Sequence, residues 1–118
     1  MVLLFSNLAI SLKNQIASVF LWHKYEFMKK GFIICVDDQP AILESLMSQL
    51  KSAVGNTCEI ETAESAEETL AVLDELEKNG ELVEVIIVDE VMPGMKGSQL
   101  LEVVHKRFPD ITKIMLTG

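Results

Sequence analysis

Three aspartates and a threonine stand where apolar runs end. Asp37 and Asp38 close "GFIICVDD", Asp89 closes "VEVIIVD", and Thr117 follows "KIML". Carboxylates held within a few ångströms of one another repel, which raises a pKa or calls for a cation. A hard divalent ion such as Mg²⁺ takes oxygen ligands and would relieve that crowding. An isolated acid at a strand end is explained by turn solvation or helix capping. Acids at matching ends of several strands are better explained by a metal site.

Whether they match depends on the elements that carry them. "GFIICV" reads as a buried strand, and Pro40–Val54 repeats Ile42/Leu43, Leu46/Met47, Leu50 and Val54 at helical spacing, with Asp38 or Gln39 at the N-cap and Pro40 in the first turn. "CEIETA" is a second strand. "ESAEETLAVLDELEKNG" is a second helix, with Ala66, Leu70, Leu73 and Leu76 on one side and Gly80 closing it. Val83–Asp89 is the third strand, "GSQLLEVVHKRF" the third helix with Leu100, Leu101, Val104 and Phe108 inward, and "TKIMLTG" the fourth strand. Strands without polar alternation are buried on both faces, as in a parallel sheet covered by helices. The order βαβαβαβ predicts a doubly wound α/β fold with a parallel sheet. In such sheets ligands bind beyond the carboxyl ends of the strands, which places the acids on one rim.

Composition sets the outer bounds. With 118 residues and 49% hydrophobic composition, the chain is sized for one domain with a substantial core. A net charge of -8 argues against direct nucleic-acid binding, which needs basic patches. Cys35 and Cys58 each sit in an apolar strand without ligand spacing, so they read as buried free thiols of a reduced, cytoplasmic protein. His23 and His105 share no ligand spacing, and His105 reads as exposed and inert. Pro93 and Gly94 suit a type II turn, Gly97 lets the chain enter the third helix, and Met92 and Met95 read as gap-fillers.

Residues 1–30 differ from the rest: Lys13, Lys24, Lys29 and Lys30 face the single acid Glu26, so the acidity is concentrated beyond residue 30. The segment has neither the basic start nor the cleavage site of a signal peptide, and polar residues interrupt it too often for a membrane span. Phe5, Leu8, Leu12, Ile16, Val19 and Phe20 recur at helical spacing, so 1–30 reads as an amphipathic helical extension preceding a domain at 31–118. It would pack on the domain or pair with another chain; equally, Met28 would be the natural start.

"ICVDDQPAIL", "IIVDEVMPGMKG" and "IMLTG" resemble, in order and spacing, the acidic pair, phosphoacceptor segment and fourth-strand Thr of the response-regulator receiver domain of two-component signalling. The resemblance covers residues 31–118 and implies a flavodoxin-like fold. It implies that Asp89 takes a phosphoryl group from a histidine kinase, that Asp38 and Asp89 ligate Mg²⁺ directly, that Asp37 acts largely through water, and that Val91 lends its backbone carbonyl. Thr117 would hydrogen-bond a phosphoryl oxygen. Glu90, next to the acceptor, would line the cleft.

The departure is at the end. A receiver has a fifth strand bearing a Lys, an aromatic switch residue and a fifth helix, and this sequence reaches Gly118 without them. Lys96 and Lys113 stand at other points of the pattern. The fourth strand would then be a bare edge and one side of the sheet would lack a helix, a surface for the rest of a longer protein, a second chain (another copy or a different protein) or the N-terminal segment to cover. Two other functions share parts of this pattern. A phosphorylation-independent binding module would keep the fold alone. A phosphatase of the haloacid-dehalogenase type would need D-x-D, whereas Asp89 is followed by Glu90 and Val91.

Overall fold

A five-stranded, wholly parallel sheet carries the acidic rim. The structure is a computed structural model that describes residues 2–5, 14–17, 19 and 30–117. Its strands are β1 (Val2–Phe5), β2 (Gly31–Val36), β3 (Cys58–Ala63), β4 (Val83–Asp89) and β5 (Thr112–Leu116), in the order β1-β5-β4-β2-β3. Three helices alternate with the later strands: α1 (Pro40–Val54), α2 (Ala66–Lys78) and α3 (Gly97–Arg107). From residue 31 onward this is the expected βαβαβαβ alternation.

Period-2 geometry divides the strand side chains between two layers. Ile33, Cys35, Val85, Ile87, Ile114 and Leu116 face α1, where Leu43, Leu46, Leu50 and Val54 complete one cluster. Ile34, Val36, Ile86 and Val88 face the other way, against Leu73 and Leu76 of α2 and Leu100, Leu101 and Val104 of α3. Apart from Glu84, the buried positions of β2 and β4 are apolar on both faces, which is why their sequences do not alternate.

The helix boundaries follow local chemistry. Gln39 is the N-cap of α1 and Pro40 its first residue, where a missing N–H costs nothing. Ser65 caps α2 by accepting a hydrogen bond from Glu68 N at 3.0 Å. Thr69, polar yet buried, donates its hydroxyl to Ser65 O at 2.7 Å. Ile42 of α1 is 38% exposed, so the inward stripe is Leu43, Leu46, Leu50 and Val54, narrower than the sequence pattern suggests. Phe108 ends α3 as its C-cap and packs partly buried against the core. Both cysteines are free and buried.

At the amino terminus the structure departs from the helical expectation. Phe5 is the last residue of a strand, and Val2–Phe5 pairs in parallel with β5, from Val2 opposite Lys113 to Phe5 opposite Leu116. The edge of β5 expected to be bare is therefore paired, which satisfies backbone groups that would otherwise be open to other chains. Residues 14–17 and 19 are helical, as the periodicity suggests; Ile16 is wholly buried in the α1-side cluster and Val19 packs against it. That side of the sheet carries α1, while α2 and α3 pack on the other. Leu8, Leu12, Phe20, Trp22, His23, Tyr25 and Phe27 lie outside the described residues.

Candidate functional site

The chain leaves β2 for β3 on one side of the sheet and later enters β4 on the other, so the carboxyl ends of β2 and β4 flank the point where the strand order reverses. Val36 pairs with Val88, which brings Asp37 and Asp89, the next residues, side by side. Carboxylate oxygens of Asp37, Asp38 and Asp89 all lie within 4.8 Å of one another. Three of the four side chains expected to meet are thus assembled, Asp37 and Asp89 by strand register and Asp38 from the turn that follows. Thr117 follows β5, whose Leu116 pairs with Asp89, and so stands at the same rim.

The electrostatics are those of crowded acids. Burial pushes the Asp37 carboxyl above the usual aspartate range, the nearby charges of Asp89 and Asp38 push it further, and the Gln39 N–H, donating to Oδ1 at 2.9 Å, opposes them. Asp89 is raised chiefly by desolvation and also by the charges of Asp38 and Glu90, against backbone N–H groups of Val91 and Glu90 that stabilise its anion. The Asp38 Oδ1 atom is buried without a hydrogen-bond partner. An orphaned carboxylate oxygen facing two further carboxylates is a donor set that fits a hard divalent cation.

The loop after Asp89 is tightly held. Gly94 has φ +79°, as the second central residue of a type II turn after Pro93 requires. Gly97 has a stronger role than the sequence pattern conveys: a Cβ there would lie 2.2 Å from the Asp89 carbonyl oxygen. The start of α3 therefore approaches the backbone of β4 too closely for any side chain. Gly97 N donates to Glu90 O at 3.1 Å, Glu90 N donates to Leu116 O at 3.3 Å, and Ser98 Oγ donates to Glu90 Oε1 at 2.9 Å. The last of these bridges eight positions and leaves no local signature in the sequence. Met92 is buried in the α3-side cluster as a gap-filler, while Val91 is 78% exposed.

Lys113 and Lys96 make their contacts away from the acidic group, as their places in the sequence suggest. Lys113 is wholly buried at the amino-terminal part of β5, its Nζ donating to Ile111 O at 2.5 Å and to the Phe108 and Pro109 carbonyls, and burial pushes its pKa down. It caps the turn between α3 and β5. Lys96 is the exposed N-cap of α3, its backbone N–H donating to Gln99 Oε1 at 3.0 Å. His105 is exposed on α3, beside a groove of about 310 Å³ that Leu101 and Met115 also line. Among the described residues no helix is long and apolar enough to cross a membrane.

Comparison with known proteins points to the same family as the residues. Residues 33–118 match the response regulator receiver domain. The chain is 30% identical over 90 residues to the hydrogenase transcriptional regulatory protein HoxA of Cupriavidus necator, covering 76% of this chain and 17% of that protein. It is 34% identical over 86 residues to the sensor kinase CckA of Brucella abortus, covering 73% of this chain and 8% of that protein. It thus spans less than a fifth of either relative. The crystal structure of the signal receiver domain of an HD domain-containing protein from Pseudomonas fluorescens Pf-5 superposes with a TM-score of 0.63 at 29% identity, covering 75% of this chain and 60% of that one. The acids at the strand-order reversal, the fold that gathers them and these matches together make the chain a member of the response-regulator receiver domain family of two-component signalling.

Proposed function

We propose that Asp89 is the phosphoacceptor of this receiver and takes a phosphoryl group from the phosphohistidine of a histidine kinase. One carboxylate oxygen of Asp89 attacks phosphorus, the P–N bond breaks, and its electron pair stays on the departing imidazole nitrogen. The product is an aspartyl phosphate. The observation that carries this reading is the meeting of the Asp37, Asp38 and Asp89 carboxylates within 4.8 Å, with one Asp38 oxygen buried and unpartnered.

Asp38 and Asp89 would hold Mg²⁺ directly, Asp37 through water, and the Val91 carbonyl would complete the protein's share. When bound, the ion neutralises charge on the acids and on the incoming phosphoryl oxygens. The protein's part is positioning. β4 is paired on both sides and fixes Asp89 in place, the Gly97 approach fixes the backbone behind it, and Thr117, next after β5, would donate its hydroxyl to a phosphoryl oxygen. Little covalent chemistry beyond the nucleophile is needed, so alignment provides most of the acceleration. Loss of the phosphoryl group to water would use the same residues, which makes the domain a self-limiting signal instead of a turnover enzyme. Its setting would be the cytoplasm, where kinase and thiols are both found.

Among the described strands, β1 holds the sheet edge beside β5. Intact-protein mass after incubation with Mg²⁺ and acetyl phosphate tests the reading. A Mg²⁺-dependent gain of about 80 Da, one phosphoryl group, is expected in the protein and not in Asp89→Asn. A folded sample that binds Mg²⁺ and gains nothing would instead support a phosphorylation-independent module.

A further inference from the structure

The acceptor Asp89 is followed by a fourth acid. Glu90 sits one residue along the chain from the metal-binding cluster, yet the grouped carboxylates are those of Asp37, Asp38 and Asp89 alone. Its own carboxylate accepts a hydrogen bond from Ser98 Oγ at 2.9 Å, on the second residue of α3. The first turn of α3 contains no acidic residue, and a carboxylate brought there from outside complements the helix's positive end. The backbone of Glu90 is fixed from both sides, by Leu116 O and by Gly97 N. The side chain is therefore the freest part of this residue, and Ser98 supplies the side-chain contact seen for it.

Resting on the receiver reading above, we propose that Ser98 is a positioning residue that holds the Glu90 carboxylate against the start of α3 and so keeps a fourth carboxylate from joining those of Asp37, Asp38 and Asp89. Released, Glu90 could swing toward the cluster. A fourth carboxylate there would add an oxygen ligand for the cation and at the same time repel an anionic phosphodonor. Ser98 thus sets the balance between holding the metal and admitting the phosphoryl group. The donor at position 98 needs only a hydroxyl, so Thr should serve and Ala should not.

The test is a double-mutant cycle of Ser98→Ala and Glu90→Gln, with Ser98→Thr as the conservative control. Glu90→Gln keeps an acceptor oxygen for Ser98 and removes the charge. Two quantities are read: Mg²⁺ affinity by calorimetric titration, and the initial rate of Asp89 phosphorylation from acetyl phosphate. Ser98→Ala alone should tighten Mg²⁺ at least about twofold and slow phosphorylation at least about threefold, and in the Glu90→Gln background it should change neither, which is the signature of coupled residues. Ser98→Thr should behave as the parent. Equal effects of Ser98→Ala in both backgrounds, or no effect on either quantity, would overturn the proposal. If the parent binds Mg²⁺ but takes no phosphoryl group, the acceptor reading fails by itself, and the Mg²⁺ cycle still decides the role of Ser98.

Discussion

Asp37 and Asp89 lie one register step beyond the paired residues Val36 and Val88 of adjacent parallel strands, so two carboxylates are held together at the mouth of the sheet by its backbone. Burial is the largest cause raising each pKa, and neighbouring acids add to it. A sheet that does this at its own expense gains only if something with positive charge uses the site.

The first prediction concerns pH and stability of the metal-free protein. Both folded-state pKa values are raised above the ordinary aspartate value. The native state therefore holds protons that the unfolded chain has already released, and the stability this contributes is full below the unfolded pKa and lost as pH rises through the folded one. In chelator, Asp37→Asn and Asp89→Asn should each raise the Tm by a few degrees at pH 7 and by less near pH 4. Thermal melts across that range check it, and Mg²⁺ should raise the Tm of the parent more than that of either variant.

Gly97 gives a sharper mechanical test. Because an added Cβ would meet the Asp89 carbonyl oxygen at 2.2 Å, Gly97→Ala must push α3 away from β4. A cost of about 2–3 kcal/mol in urea unfolding is expected, in the range for overpacking a well-packed contact. Phosphorylation should fall as well, since the displaced backbone is that of the acceptor. A neutral result would mean that α3 is not seated as described.

Ile16 tests whether the N-terminal segment belongs to the core. It is wholly buried among Ile33, Leu46, Ile87 and Leu116. Ile16→Ala should lower stability by about 2–4 kcal/mol, as truncations in packed cores do. Removal of residues 1–27 should lower it further, because it also exposes the β5 edge paired with Val2–Phe5.

These particulars show where the sequence was readable. The four strands and three helices from residue 31 onward follow from unalternated apolar runs and from helical spacing, and Pro40 and Gly94 mark boundaries through φ requirements that act locally. Asp37, Asp38 and Asp89 could be placed on one rim because parallel topology sends every strand end the same way. The strand at Val2–Phe5 was not legible, since a four-residue apolar run carries no period and its partner lies more than a hundred residues away. The Ser98–Glu90 contact was hidden for a related reason: nothing local distinguishes a serine that bonds a neighbouring loop from one that faces water. Gly97 reads as a turn residue in the sequence, and only the structure shows its close approach to the Asp89 carbonyl.

The central claim is that Asp89, among the three clustered aspartates, receives the phosphoryl group. Borohydride reduces an aspartyl phosphate to homoserine, so reduction after exposure to Mg²⁺ and acetyl phosphate, followed by peptide mapping, identifies the acceptor directly. The account predicts homoserine at position 89 and unaltered aspartate at 37 and 38, with the conversion abolished by omitting Mg²⁺. Homoserine at position 37 or 38, or phosphate retained on a residue that borohydride does not reduce, would contradict it.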